Sequence, residues 1–99
     1  MIRGTTPTLE FGLPISKDLI ADAFVSFSQK QKLVIDKPLS ACSCEGNKLT
    51  VRLEQEDTLM LEADVLTEIQ LRVKTTDGEA LASQIIKVDT YRIIKDGVI

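Results

Sequence analysis

Short runs in which apolar and polar residues alternate constrain the fold of this chain more than any other feature of its sequence. The clearest run is "TEIQLRVK", in which Ile69, Leu71 and Val73 alternate with polar side chains. Successive side chains of a β-strand point to opposite faces, so this run predicts a strand with one buried and one solvated face. Similar runs recur about every 8–12 residues between turn signals, a spacing typical of short antiparallel strands in a sandwich.

The 99 residues are expected to form one domain, residues 1–99, since no linker, repeat or low-complexity segment divides them. We predict an all-β fold, an antiparallel β-sandwich of about seven short strands that is immunoglobulin-like in class. The segment "ISKDLI" is expected to be a connector that could form one helical turn with Ser16 as its N-cap. The segment "QEDTLML" is expected to be a one-turn helix or a corner. The polar run "QKQK", residues 29–32, is expected to be a turn.

Gly46 and Asn47 are a favoured pair for a two-residue hairpin loop, because glycine adopts a positive φ without strain. Such a loop fixes the register of the two strands that it joins. The predicted cross-strand pairs are Glu45 with Lys48, Cys44 with Leu49, Cys42 with Val51, and Ser40 with Leu53.

A second hairpin turns at Asp77-Gly78, and two registers are open for it. A two-residue loop pairs Val73 with Ala82 and turns Gln84 toward the core. A three-residue loop with Gly78 in a bulge is preferred, because it avoids burying that amide. This preferred register pairs Val73 with Leu81 and Ile69 with Ile85; its inner face carries Leu81, Ser83 and Ile85, and its outer face Ala80, Ala82, Ile86 and Val88.

Composition argues against several classes of function. The sequence has no histidine, which is the usual general base, metal ligand and pH-sensitive group. The net charge of −3 disfavours a nucleic-acid partner, and one Tyr, three Phe and no Trp disfavour a stacking platform. Three of these four aromatic side chains are expected in the core. We therefore predict a protein that is not an enzyme and has no catalytic residues, no cofactor and no metal.

The sequence also gives no sign of a membrane partner. No apolar run approaches the roughly 20 residues of a membrane-spanning helix. The start, "MIRGTTPTLE", lacks the apolar segment of a secretory signal, so the protein is expected to stay in the cell that makes it unless it leaves within a larger particle.

Cys42 and Cys44 are the candidate reactive pair, since a Cys-x-Cys spacing could begin a metal site or a redox switch. Zinc takes about four ligands, and the sequence has no further cysteine and no histidine. Residues two apart on a strand lie about 6.6 Å apart with parallel side chains, which is poor geometry for a disulfide. The predicted register turns both thiols toward the inner face with Leu49 and Val51. We interpret them as reduced, metal-free structural residues that react slowly with thiol reagents.

Two sets of acidic residues are the other candidates for a site. The run "EQED", residues 54–57, lacks the spaced ligands and the glycine of a calcium loop, so it is interpreted as a solvated corner. Asp18 and Asp22 would be the candidate acid/base pair. Nothing in the neighbouring sequence distinguishes their carboxyl groups, so they are interpreted as surface residues.

Three stretches together resemble a known group of proteins: "MIRGTTPT", "EGNKLTVRLEQEDTL" and "EIQLRVKTTDGEALAS". They resemble small structural proteins encoded in phages and prophages of Gram-positive bacteria. The pattern is similar to the N-terminal module of phage upper-baseplate proteins, a β-sandwich that anchors a longer chain into the host-adhesion organelle of the tail. The resemblance covers nearly the whole chain. It implies other phage structural proteins as partners, the bacterial cytoplasm as the place of synthesis, and the virion as the location after assembly.

We therefore expect a virion structural or assembly protein, an adaptor associated with the tail or baseplate. The alternative is a small protein- or carbohydrate-binding module of prophage origin. Either register of the second hairpin leaves apolar side chains on its outer face, where the segment "YRIIKDGVI" covers them or a second copy of the chain packs. The candidate interface residues of this possible homo-oligomer are Ile86, Val88, Ile93 and Ile94.

Overall fold

A computed structural model describes all 99 residues of the chain. It contains eight β-strands, a five-residue α-helix and two 3₁₀ turns, the latter at Lys17–Leu19 and Leu39–Ala41. The strands are β1 (Thr8–Gly12), β2 (Ile20–Gln29), β3 (Lys32–Pro38), β4 (Cys42–Glu45), β5 (Lys48–Arg52), β6 (Thr67–Thr75), β7 (Ala80–Ala82) and β8 (Ile86–Val88), and helix α1 is Gln55–Leu59. All strand pairs are antiparallel, which confirms the all-β prediction.

The strands form two sheets that share one core. The smaller sheet has the order β1-β5-β4, and the larger has the order β3-β2-β6-β7, with β8 also pairing with β6. The core combines side chains from both sheets with one residue after α1; its members are Phe11, Leu13, Leu49, Val51 and Leu53, then Ala23, Val25, Phe27, Ile35, Ile69, Leu71 and Val73, and finally Leu61. The structure is therefore the predicted antiparallel sandwich.

The order of the strands matches a known arrangement. In immunoglobulin-type sandwiches one sheet has the order A-B-E-D and the other can have the order G-F-C-C′. Strands β1, β5 and β4 occupy the positions of B, E and D, and β7, β6, β2 and β3 occupy those of G, F, C and C′. This is a match of topology without strand A, and membership of that superfamily stays a prediction.

The first hairpin has the predicted register over three of its four pairs. Cys42, Cys44 and Glu45 lie opposite the expected residues of β5. The fourth pair is wrong, because Ser40 lies in the 3₁₀ turn that follows Pro38, and the backbone N–H of Leu53 donates instead to the Pro7 carbonyl at 2.9 Å. Pro38 has no N–H to donate to a strand ladder, so β3 ends there and the chain leaves the larger sheet.

The turn between β2 and β3 is shorter than predicted. Only Lys30 and Gln31 form it, and both have positive φ values, 51° and 65°, as a two-residue primed turn requires. Gln29 is the buried last residue of β2 rather than part of a polar turn. Its side-chain amide donates to the Glu62 carbonyl at 2.9 Å and accepts from the Glu62 N–H at 2.8 Å. Burial of this polar group is possible because both ends of the amide are hydrogen-bonded.

The second hairpin has the preferred three-residue loop. The N–H of Thr75 donates to the Glu79 carbonyl at 2.8 Å, and Gly78 has a φ of 93°. Val73 lies opposite Leu81, as predicted. Ser16 also caps the first 3₁₀ turn, and α1 forms within "QEDTLML", so both segments contain a helical turn.

The register then shifts by one residue, which splits the predicted last strand into β7 and β8. Ile69 lies opposite Ile86, not Ile85. Ser83 explains the shift, because its hydroxyl oxygen accepts from the Leu71 N–H at 3.0 Å in the place of a backbone carbonyl. The Ser83 carbonyl accepts instead from the Gln70 side chain at 3.0 Å. This bulge carries the chain one residue further along the sheet edge.

The segments outside the sheets are joined by side-chain hydrogen bonds. The Arg3 guanidinium donates to the carbonyls of Leu59 and Leu61 at 3.0 and 2.6 Å, and to the Asp96 carboxylate at 2.8 Å. Gly4 has a φ of 74°, and a Cβ atom there would lie 2.8 Å from the Ile93 side chain. Both its backbone conformation and this close approach therefore favour glycine at position 4.

Candidate functional site

The four predicted interface residues do not share one surface. Ile86 and Val88 lie on β8 opposite Ile69 and Thr67, which are buried. Residues that face each other across an antiparallel ladder point to the same side of the sheet, so the prediction that Ile86 and Val88 point away from the core is wrong. The cause is the bulge at Ser83. Val88 packs against the core, and Ile86 is half exposed because β8 is an edge strand.

The other two predicted residues, Ile93 and Ile94, lie on the C-terminal segment. Ile93 is half-buried beside Gly4, whereas Ile94 is 97% exposed. Further along, the backbone of Ile99 exchanges hydrogen bonds with the Gln55 side chain at 2.8 and 3.2 Å. The segment therefore docks on the N-terminal residues and α1, and it does not cover Ile86.

The two cysteines lie on β4, opposite Leu49 and Val51, as the hairpin register predicted. Both are unbonded thiols and both are half-buried, because β4 is an edge strand of the smaller sheet. The Cys42 thiol donates to the Pro38 carbonyl, with 3.3 Å between sulfur and oxygen. Burial and the neighbouring Cys44 raise the pKa of Cys42 above its usual value, against the opposing effect of nearby Lys37. A raised pKa lowers the thiolate fraction and with it the reactivity of the sulfur.

The acidic run 54–57 is the predicted corner, in which Glu54 and Glu56 are exposed and Asp57 is largely covered. The Asp57 carboxylate lies 2.8 Å from the Lys37 ammonium, and its side chain is only 14% exposed. It also accepts from the Glu54 N–H at the start of α1, again at 2.8 Å. Burial acts to raise the pKa of Asp57, but the hydrogen bonds from Lys37 and Glu54 outweigh it, so the pKa lies below its ordinary value. No group of three or more His, Cys, Asp or Glu side chains converges to hold a metal ion.

The outer face of the larger sheet exposes both apolar and charged side chains. It carries three large apolar side chains, Phe24, Leu33 and Ile85, which are 39, 63 and 51% exposed. Leu33 and Ile85 lie on opposite sides of a shallow depression whose floor is polar; it is formed by Ser26, Ser28, Gln31, Glu68 and Gln70. A second depression, beside Phe24, contains Asp22, Arg72, Lys74 and Ala80. We call this surface, from Asp22 to Ile85 across β3, β2, β6 and β7, the outer face.

The charged side chains of the outer face are free of ion pairs within the chain. The four salt bridges of the structure are Arg3–Asp96, Lys30–Glu62, Lys37–Asp57 and Arg52–Glu54, and none of them involves this surface. Asp22 and Lys74 are cross-strand neighbours, as are Phe24 and Arg72. The outer face therefore combines exposed apolar groups with charges that remain available to a partner.

Sequence reasoning missed most of this surface. Phe11 and Phe27 are in the core, but Phe24 and Tyr91 are exposed, so the prediction that three of the four aromatic residues are buried is wrong. A usable signal was present, since Phe24 alternates with the buried Val25 and occupies a position otherwise taken by polar residues. The preferred register of the second hairpin predicted that Ile85 faces inward, and the bulge at Ser83 turns its side chain outward.

Comparison with protein-family models, curated proteins and solved structures gives no match to this chain. The helices are also all too short to cross a lipid bilayer.

Proposed function

We propose that this chain is a non-enzymatic structural or assembly protein of a phage or prophage particle, an adaptor associated with the tail or baseplate. The observation that carries the proposal is the outer face, on which Phe24, Leu33 and Ile85 are exposed beside unpaired charges. Non-obligate interfaces between proteins mix apolar and polar groups, as this face does, so the surface favours contact with another protein.

The shape of the surface supports a macromolecular partner over a small ligand. Small-molecule sites are concave and bury most of their ligand. The depressions beside Phe24 and between Leu33 and Ile85 are half-open to solvent and do not enclose a ligand. An open surface with apolar groups and a charged rim is typical of contacts between proteins. The resemblance of three sequence stretches to phage structural proteins supports a particle as the setting.

A small binding module of prophage origin is the second candidate. Phe24 favours it, because an exposed aromatic ring beside Arg72 and Lys74 can stack on a sugar or a peptide side chain. The other exposed aromatic residue, Tyr91, lines a different depression beside Leu66, so the two rings do not form one platform. This distribution supports assembly over carbohydrate binding.

The proposal is tested by inducing the prophage in the host that carries the gene and purifying particles on a density gradient. We expect peptides of this chain to co-sediment with the major particle proteins at a fixed stoichiometry. A Leu33→Asp chain supplied in place of the natural one should be lost from the particles, while the matched Glu10→Lys change on β1 should not alter incorporation. Absence of the natural chain from washed particles, at a time when it is abundant in the lysate, would refute the assembly role.

A further inference from the structure

We propose that the outer face binds a second copy of this chain, with a two-fold axis that runs parallel to the strands between β2 and β6. This inference deepens the proposed assembly function by naming the partner. Four strands cross the face in the order β3-β2-β6-β7, so an axis between the central pair exchanges β2 with β6 and β3 with the β7–β8 edge. A surface related to itself in this way must be self-complementary, and the residues of the outer face meet that condition.

One end of the outer face carries a row of two opposite charges, which supports the proposed axis most strongly. Asp22 and Lys74 are cross-strand neighbours, and neither forms an ion pair in the chain. Rotation about the proposed axis places Lys74 of each copy over Asp22 of the other. The contact therefore brings together two pairs of opposite charges and no like charges in this row.

The next row is complementary in a different way. Phe24 and Arg72 are also cross-strand neighbours, so the same rotation places each Arg72 guanidinium over the exposed Phe24 ring of the second copy. A guanidinium over an aromatic face is a favourable contact. The following rows pair Ser26 with Gln70 and Ser28 with Glu68, which are combinations of donors and acceptors.

The exposed apolar groups lie toward the two edges of the face. Leu33 lies on the β3 side of the face and Ile85 on the β7–β8 side, with the polar depression between them. Leu33 shares its row with Ser28 and Glu68, and Lys87 lies opposite Glu68. Rotation therefore places Leu33 of each copy over Lys87 of the other, one row away from Ile85, so the Leu33 side chain loses contact with water. A two-fold axis perpendicular to the strands is less favourable. It would stack β3 of one copy on β3 of the other and set the two Asp36 carboxylates near each other.

The size of the face predicts weak association. Four strands spaced about 4.8 Å apart and about seven residues long give roughly 400 Å² in projection on each copy. The total of roughly 800 Å² lies below the roughly 1,200–2,000 Å² of stable specific interfaces, so a weak dimer is expected, at high concentration or within an ordered particle.

Charge exchange between copies provides the test. Sedimentation equilibrium is measured for the wild type, for Asp22→Lys, for Lys74→Asp and for an equimolar mixture of these two variants. Each variant alone opposes like charges, so its dimer should dissociate at least about tenfold more readily than the wild type. The mixture restores opposite charges in both pairs and should dimerise like the wild type. Glu10→Lys is the matched control outside the face and should leave the dissociation constant unchanged.

Two results would overturn the inference. One is a wild-type chain that stays monomeric up to about 1 mM, and the other is a dimer that the single charge changes do not weaken or that the mixture does not restore. A dimer weakened by Ile86→Glu but not by the charge variants would assign the contact to the β8 edge instead. Particle incorporation is measured separately, so a chain that assembles into particles as a monomer would refute this dimer and leave the proposed function standing.

Discussion

Leu71→Ala is the perturbation that tests the sandwich core most directly. Leu71 lies on the central strand β6, opposite Val25, and is 4% exposed. Removal of three carbon atoms loses about 2.4 kcal/mol of transfer free energy at about 0.8 kcal/mol per buried carbon. The side chain also borders a depression of about 140 Å³ between the sheets, lined by Gly12, Pro14 and Leu81. Water can enter the space that the substitution leaves, so the added cavity cost should be small and the total about 2–3 kcal/mol.

Leu33→Ala is the matched control, because it removes the same atoms from a side chain that is 63% exposed. It should cost less than about 0.5 kcal/mol, as surface changes usually do. Urea unfolding at low protein concentration, followed by circular dichroism, should lower the midpoint of Leu71→Ala by about 1–2 M at unchanged slope. Equal midpoints for the two variants would refute the assignment of inner and outer positions.

Three further predictions concern polar groups. Asp57→Asn should destabilise the fold by about 1–2 kcal/mol near neutral pH through loss of the charged contact to Lys37. Because the pKa of Asp57 is lower in the folded protein, its carboxylate stabilises the fold at pH values above the unfolded pKa of about 4. This stabilisation is lost as the pH falls through the folded pKa, so the melting temperatures of variant and wild type should converge toward pH 2. Native Cys42 and Cys44 should react with Ellman's reagent more slowly than the unfolded chain, and stoichiometric zinc in the protein would contradict this assignment. Gln29→Leu should cost about 2 kcal/mol or more in urea melts, since it leaves buried backbone groups unpaired, and a neutral effect would contradict the observed network.

Local patterns predicted much of the fold. The alternation of Ile69, Leu71 and Val73 gave the correct inner face of β6, because that strand is paired on both sides and has no bulge. Gly46 and Gly78 gave the correct loop lengths, since each turn requires a backbone conformation that glycine adopts easily. In these places the local sequence and the tertiary structure favour the same arrangement.

The predicted register and burial are wrong at two places where a side chain forms a hydrogen bond with the backbone. The Ser83 hydroxyl takes the place of a ladder carbonyl and shifts the register, which turned Ile86 inward and Ile85 outward. Gln29 is buried because the backbone of Glu62, 33 positions away, pairs with its amide. Both arrangements depend on contacts between side chain and backbone that periodicity does not encode. The candidate site therefore lies on the outer face and not on the predicted β8 surface.

The most direct test of self-assembly through the outer face is a map of backbone amide chemical shifts in ¹⁵N-labelled protein as its concentration is raised. Progressive shifts are expected on β2 and β6 and at Leu33 and Ile85, with β1, β4 and β5 unchanged. Asp22→Lys should suppress the same shifts, since it opposes like charges across the proposed axis. Shifts confined to the smaller sheet or to the C-terminal segment, or their complete absence, would refute self-assembly through the outer face.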